Sequence, residues 1–341
     1  MNQRGFSLVE IFIAMGIATF LIAGAMTAHV SNLSYYKTTE SRSTLYQDSL
    51  LLIDYLRAEL MQAGGGSVRA WMGIWVEDNC GARAPLPACA SSDRMTISTV
   101  SIPLQECAII GQINPTRVQV AWNAPGVCCL DPLAAGEVTF LGRNVMLTLG
   151  DFYSQQFATI VDLPTCQMTT AAGQASGNDR PPVVWNWGNG AVTMMNVQTL
   201  YWDSTTNMLK RWINTNNDNV KNPTEDVIIA DNVFDTQYAL GYDFNLPDGN
   251  IVDTADGVND EWLFNAPTVV EVFGLGVFAP PVVRSQLLSV QVGAIVGSND
   301  SAAGVAMAPK RSLNGPLRSQ AGWMMMEEIA RFSPRNSYIF Q

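Results

Sequence analysis

Histidine is almost absent from this sequence. His29 is the only one among 341 residues, and it borders the longest apolar run of the chain. Ser-His-Asp and Cys-His catalysis, and metal sites built on histidine, therefore have no imidazole in the rest of the chain. There is also no G-x-S-x-G motif, no phosphate-binding loop and no dinucleotide fingerprint. A carboxylate pair of the glycosidase kind stays open, because 30 acidic residues always permit some pair, but no spacing selects one. We predict a chain that is not an enzyme.

Charge is scarce as well, and its balance is acidic. Charged residues make up 14% of the chain and the net charge is -11, so a phosphate backbone would be repelled over most of the surface. The nearest approach to a basic cluster is Lys310, Arg311 and Arg318, in a segment that also contains Gly and Pro. We interpret that segment as a solvated linker. We expect no nucleic-acid partner.

Proline and glycine are missing between His29 and Ala63, which removes the residues that most often end a helix. Leucines recur at helical spacing in this stretch, at Leu45, Leu52, Leu56 and Leu60. Charged residues occupy the other faces, so this half is amphipathic and predicted to pack on a domain. Three glycines, 64–66, then provide a stop. The pattern predicts one helix over 6–63, on the order of 85 Å long.

The first half of that helix is apolar on every side. Ile11–Ala28 contains no charge and has about the minimum length that spans hydrocarbon. An ordinary signal peptide is the alternative, with cleavage after the small residues at 23–25 or 27–28. Glu10 argues against a signal peptide, because a charge near a membrane centre costs about 2.5 to 3.5 kcal/mol. An ordinary signal peptide has no function that would require an acidic residue at this position.

The residues that begin the chain, Arg4-Gly5-Phe6-Ser7-Leu8-Val9-Glu10, resemble the class III leader and helix of type IV pilins. The resemblance implies a leader over 1–5, cut between Gly5 and Phe6 by a prepilin peptidase on the cytoplasmic side. It also implies methylation of the new Phe6 amino group and an assembly role for Glu10.

The physics of that role can be stated from charge alone. A carboxylate in a low-dielectric helix bundle is tolerable when a cation neutralises it, and cleavage before Phe6 creates an amine on a neighbouring subunit. Arg4 before the span keeps the N-terminus inside, so the rest of the chain is exported. With that orientation, the resemblance implies an inner-membrane protein, single-pass over 6–28, with a periplasmic globular domain that later becomes extracellular.

The six cysteines support export. None forms a C-x-x-C pair, so zinc ligation is disfavoured and disulfides are the better explanation; the alternative is buried free thiols in a cytosolic protein. Cys128 and Cys129 are adjacent and are expected to reach different partners, and Cys80–Cys89 is the predicted third bridge. The candidates are Cys80, Cys89, Cys107, Cys128, Cys129 and Cys166.

Residues 64–341 are rich in short apolar runs bounded by turn residues, which predicts strands. The clearest hairpin is Val192–Trp202, a polar turn and Met208–Ile213. The predicted fold class is α+β: a long N-terminal helix packed on a large antiparallel domain, with one sheet or two. Further candidate strands are Arg94–Val100, Arg117–Trp122, Val138–Leu141, Asn144–Leu149, Phe157–Leu163, Asp226–Ala230, Phe234–Phe244, Val269–Phe278 and Leu287–Val296, with Trp323–Phe332 left open as helix or strand.

One loop concentrates oxygen ligands. Asp243, Asn245 and Asp248, followed by Asn250 and Asp253, approximate the start of a calcium loop with one residue inserted. The bidentate glutamate that ends such loops is out of register, and Asp/Asn/Gly loops are equally natural as solvated turns. Calcium is the one cofactor that the sequence suggests.

The exported region contains, in order, the hairpin Val192–Ile213, the segment Ile229–Tyr238, an Asp/Gly loop that ends at Trp262 and a hydrophobic strand. This order looks like the large minor pilins of the PilW type, with looser motifs. This resemblance implies a minor pilin that helps initiate pilus assembly and joins a tip complex. Its implied partners are other minor and major pilins through the helix, and a tip adhesin. The pseudopilins of type II secretion resemble the same helix equally well. A secreted ligand-binding or carbohydrate-active β protein with an ordinary signal is the alternative from another class.

Overall fold

The structure of the chain is a computed structural model, which describes residues 7–63, 74–78, 80, 86–89, 91–100, 106–114, 116–132, 139–149, 152–172, 190–213, 224–243, 262–263, 286–299, 309–313, 315–320 and 323–333. Within these ranges a long α-helix is followed by strands, all paired antiparallel. The α+β class is confirmed. The elements are α1 (Leu8–Gln62), β1 (Ile74–Glu77), β2 (Arg94–Val100), β3 (Glu106–Asn114), β4 (Arg117–Val120), β5 (Trp122–Ala124), β6 (Val127–Cys128), β7 (Asn144–Leu149), β8 (Phe152–Asp162), β9 (Gln167–Ala172), β10 (Gly190–Asp203), β11 (Met208–Trp212), β12 (Asp226–Ala230), β13 (Val233–Asp243), β14 (Trp262–Leu263), β15 (Gln286–Asn299) and β16 (Trp323–Phe332).

The helix α1 differs in its two halves, as the sequence predicted. It runs for 55 residues, or about 82 Å at 1.5 Å per residue. Its first buried residue is Leu45, and burial then recurs every three or four residues, which is the spacing of one helix face. The chain leaves the helical conformation at Ala63 (φ −57°, ψ 134°). The buried residues of α1 are Leu45, Ser49, Leu52, Ile53, Leu56 and Leu60.

The larger sheet has ten strands and is organised by β10. The first half of β10 pairs with β3 and β7, and its second half pairs with β2 and β11. Because β3, β4, β9, β8 and β7 also pair in that order, these five strands and β10 close into a ring. The strands β1, β2, β11 and β12 form an open arm beside it.

The two largest apolar cores of the described residues follow from this arrangement. One fills the closed ring and includes side chains from β3, β4, β7 and β10. The other joins the second half of α1, the open arm and a four-stranded sheet ordered β14-β13-β15-β16. Burial of the α1 stripe between two sheets ties the helix to the domain, since each fully buried leucine contributes about 1.5 to 3 kcal/mol.

All six cysteines form disulfides, namely Cys80–Cys89, Cys107–Cys129 and Cys128–Cys166. Their Cα–Cα distances are 5.3, 5.7 and 5.2 Å, within the usual range for such bonds. The predicted Cys80–Cys89 bridge is present, and Cys128 and Cys129 reach different partners as expected. The last two bonds staple the interior of the closed ring.

Most of the predicted strands are present, one is wrong, and β1, β3, β6, β9 and β14 were not predicted. The bounds of β2, β7 and β12 match their predictions, and the hairpin of β10 and β11 is present. The C-terminal segment is a strand, β16, with Met324 and Met325 buried in the core. The prediction over Val138–Leu141 is wrong for its described residues, because 139–141 bend toward Gly142, whose φ of +72° turns the chain. The prediction over 269–278 lies outside the described residues.

Candidate functional site

The most unusual surface of the molecule is the N-terminal half of α1. Every side chain from Leu8 to Lys37 is exposed, although most of them are apolar. An 18-residue window here has a mean hydropathy of 2.2 and none of it is buried. By length and composition this helix could cross a membrane. A bare apolar surface of this length is typical of a helix with a partner, either lipid or protein.

Two threonines in this half make hydrogen bonds within the helix. The hydroxyl groups of Thr19 and Thr27 donate to the carbonyl oxygens of Met15 and Ala23, at 2.7 and 2.9 Å. Bonds to the carbonyl four residues earlier let threonine sit in an apolar environment without an unpaired donor. The segment therefore suits a medium that offers no hydrogen bonds.

Glu10 lies in the first turn of α1, where the structure gives it a local partner. Its Oε2 accepts a hydrogen bond from the backbone N–H of Ser7 at 2.9 Å, which is the glutamate half of a capping box. The carboxylate also lies at the positive end of the helix dipole. A carboxylate accepts several hydrogen bonds, so this contact leaves capacity for a cation. Gly5 and Phe6, the predicted processing residues, lie outside the described residues.

A polar clamp fixes the far end of α1 to the large sheet. Glu59 accepts a hydrogen bond from the side chain of Gln198 on β10 and lies 3.6 Å from Nη1 of Arg211 on β11. The same Arg211 nitrogen lies 3.3 Å from the Tyr55 hydroxyl. Burial, with Glu59 nearby, raises the pKa of Tyr55 to about 12. The helix therefore meets the sheet in one register, held by charge as well as by apolar contact.

A second polar cluster, the sheet junction, lies between β13 and the segment 309–320. Asp235 is fully buried and accepts hydrogen bonds from Ser92, from Gln237 at 3.0 Å and from Arg318 at 3.4 Å. The Arg318 guanidinium also stacks 4.8 Å from the centre of the Trp202 ring. Burial raises the pKa of Asp235, while the bonds from Ser92, Arg318 and Gln237 oppose that rise.

The sheet junction corrects the interpretation of this segment as a solvated linker. Lys310 and Arg318 exchange backbone hydrogen bonds of 2.9 and 2.7 Å, so the segment folds into a narrow loop. Gly315 then packs so closely that a β carbon there would lie 2.6 Å from Oδ2 of Asp235. The linker interpretation failed because Asp235, a buried acid 83 residues away in sequence, pairs with Arg318 and holds its side chain in the interior.

Of the five predicted calcium ligands, only Asp243 lies within the described residues. Asp243 ends β13, paired with Gln286 of β15, whereas 245, 248, 250 and 253 lie outside the described residues. Over the part of the chain that the structure describes, no three His, Cys, Asp or Glu side chains group in a way that could hold a metal ion. The calcium loop stays a prediction.

Comparison of the chain with protein-family models, with curated proteins and with solved structures found no match. The function of the chain is therefore inferred from its residues and geometry.

Sequence reasoning found the exposed helix, Glu10 and the cysteines, but it missed both polar clusters. Arg211 and Gln198 reach Glu59 only because β10 and β11 pair beside the helix. No local pattern marks them. A weak signal existed for Asp235, since an acid in the apolar strand that it occupies is unusual and calls for a buried partner.

Proposed function

We propose that this chain is a filament subunit of the type IV pilin superfamily, and specifically a minor pilin of the PilW type. The observation that carries the proposal is the division of α1: its first half is bare and apolar, and its second half is embedded in the core of a disulfide-bonded domain. A subunit that first spans a bilayer and later joins a helix bundle needs an apolar segment joined rigidly to its globular domain. The two halves of α1 provide both on one helix.

In this proposal the bare half of α1 leaves the inner membrane when it enters a bundle of identical or related helices. The carboxylate of Glu10 then faces the Phe6 amino group of a neighbouring subunit, which neutralises a charge that each helix would otherwise bury alone. The capping contact to Ser7 holds the carboxylate at the start of the helix before that partner arrives. Membrane extraction and register are thereby coupled.

We place the subunit at or near the filament tip, with other minor pilins and an adhesin as partners. A chain of 341 residues exceeds the size of a typical repeating shaft subunit. A pseudopilin of a type II secretion system would share the same helix, and identifying the partners by co-purification of the exported domain separates the two machines.

The mature N-terminus tests the proposal directly. Intact-mass and N-terminal analysis of protein from its native cells should show a chain that begins at methylated Phe6. A chain that begins near Met26 or His29 would replace the filament proposal with a secreted β protein that used an ordinary signal peptide.

Two substitutions at Glu10 separate its pairing role from its capping role. Glu10→Gln keeps an acceptor for the Ser7 N–H but removes the charge, whereas Glu10→Ala removes both. If charge pairing drives assembly, both variants enter membranes normally and both are depleted from purified filaments. Normal incorporation of Glu10→Gln would show that capping alone matters. Glu40→Ala is the control, an exposed acid on the same helix.

A further inference from the structure

The outer end of the bare helix carries two adjacent tyrosines. Tyr35 and Tyr36 are 71% and 70% exposed, and their rings contact each other edge to face, with centroids 6.4 Å apart. Lys37 follows and is also exposed. A tyrosine pair beside a lysine is the composition that settles at the headgroup level of a bilayer, where rings meet the apolar boundary and polar tips meet water.

We propose that, before assembly, the outer boundary of the phospholipid bilayer lies at Tyr35–Tyr36, and not at Ala28, where the span predicted from the sequence ends. This inference rests on the membrane location in the proposed function and goes beyond it, because it fixes the depth of the chain in the bilayer.

The spacing of charges supports this depth. Between Glu10 and Lys37 the chain contains no Asp, Glu, Lys or Arg. These 26 residues extend about 39 Å at 1.5 Å per residue. That length matches a whole bilayer with its headgroups, about 40–45 Å, and exceeds the hydrocarbon alone, about 30 Å. Both charged ends then reach headgroups, with the midpoint near Ala23 and Gly24.

Exposure supports it as well. If the bilayer ended at Ala28, the helix would hold Val30, Leu33 and both tyrosines in water, because the globular domain covers none of them. Partial cover begins at Thr38 and full burial at Leu45. With the boundary at the tyrosines, the lipid covers the apolar helix surface up to Tyr36, and the globular domain begins to cover the helix within a few residues. Little apolar surface is then left in water.

The proposed depth also changes the environment of Glu10. Its carboxylate lies among the inner headgroups, where the contact with the Ser7 N–H is sufficient while the chain is a monomer. The charge becomes buried only when the helix joins a bundle.

Single-cysteine accessibility tests the depth. All six native cysteines are in disulfides, so one introduced cysteine is the only free thiol of the full chain. The matched pair is Ser31→Cys and Ser43→Cys, both at exposed helix positions and about 18 Å apart along the axis. Ala23→Cys reports the bilayer centre. Each variant is reconstituted in phosphatidylethanolamine–phosphatidylglycerol vesicles, freeze–thawed with a charged, membrane-impermeant maleimide, and labelled again after detergent is added.

We expect Ser43→Cys to label in vesicles nearly as well as in detergent, and Ser31→Cys to label at least tenfold less in vesicles. If Ser31→Cys labels like Ser43→Cys while Ala23→Cys is protected, the boundary lies near Ala28 and the inference is overturned, with the membrane span intact. If Ala23→Cys labels as well, the chain has no span there, and the inference and the proposed membrane stage both fail.

Discussion

Removing Arg318, the cation of the sheet junction, should destabilise the folded domain, because it leaves the buried carboxylate of Asp235 without a positive partner. Arg318→Leu keeps most of the side-chain volume but leaves Asp235, which is fully buried, without its positive partner. Loss of one member of a buried pair costs about 3–5 kcal/mol. Arg318 retains 20% exposure, and Ser92 and Gln237 still donate to Asp235. We therefore expect a loss at or below the lower end of that range, on the order of 2–3 kcal/mol.

The assay is urea unfolding of the full chain in detergent micelles with disulfides intact, followed by tryptophan fluorescence. Trp202, which stacks on the Arg318 guanidinium, lies beside the perturbed site. Arg311→Leu is the matched control, because it changes the same residue type in the same loop at an exposed position. The control should alter the free energy of unfolding by about 0.5 kcal/mol or less.

The loss should also depend on pH. Burial already raises the pKa of Asp235, and removal of the nearby cation should raise it further. A carboxyl with a raised folded-state pKa favours the fold below its unfolded pKa and loses that contribution as the pH rises through the folded pKa. The deficit of Arg318→Leu should therefore be smaller at pH 5 than at pH 7.5. Equal small losses in Arg318→Leu and Arg311→Leu, or a deficit that grows on acidification, would refute the buried pair.

Three further measurements probe the packing. Leu56→Ala, at a position with no exposed surface, should lower the free energy of unfolding in urea by about 2–5 kcal/mol. Leu51→Ala, at a position 69% exposed on the same helix, should lower it by about 0.5 kcal/mol or less. Equal losses would contradict the assigned helix face. Gly315→Ala should destabilise the domain because its methyl group meets the sheet junction at 2.6 Å, whereas Gly111→Ala, with its nearest neighbour at 3.9 Å, should change the urea midpoint little. Because the pKa of Tyr55 is raised to about 12, stability should be retained below pH 10 and fall between about pH 10 and 12; a Tyr55→Phe variant with the same alkaline midpoint would exclude this tyrosine as a contributor.

The long helix and its division into two halves follow from the sequence by itself. Local information suffices there, because a run without proline or glycine favours helix and the leucine spacing sets the buried face. The adjacency of Cys128 and Cys129 likewise disfavoured a bond between them on geometric grounds. Glu10 was found because a charge beside an apolar run is visible without any fold.

Only the tertiary structure decided how the strands close and which charges become buried. The ring exists because β10 is long enough to pair with two strands on each side, and pairing partners are chosen by contacts across many intervening residues. Arg318 looked solvated in sequence, and it is interior because Asp235 reaches the same place from another strand. Periodicity reports which face of an element is buried, but it carries no information about which distant side chain shares that interior.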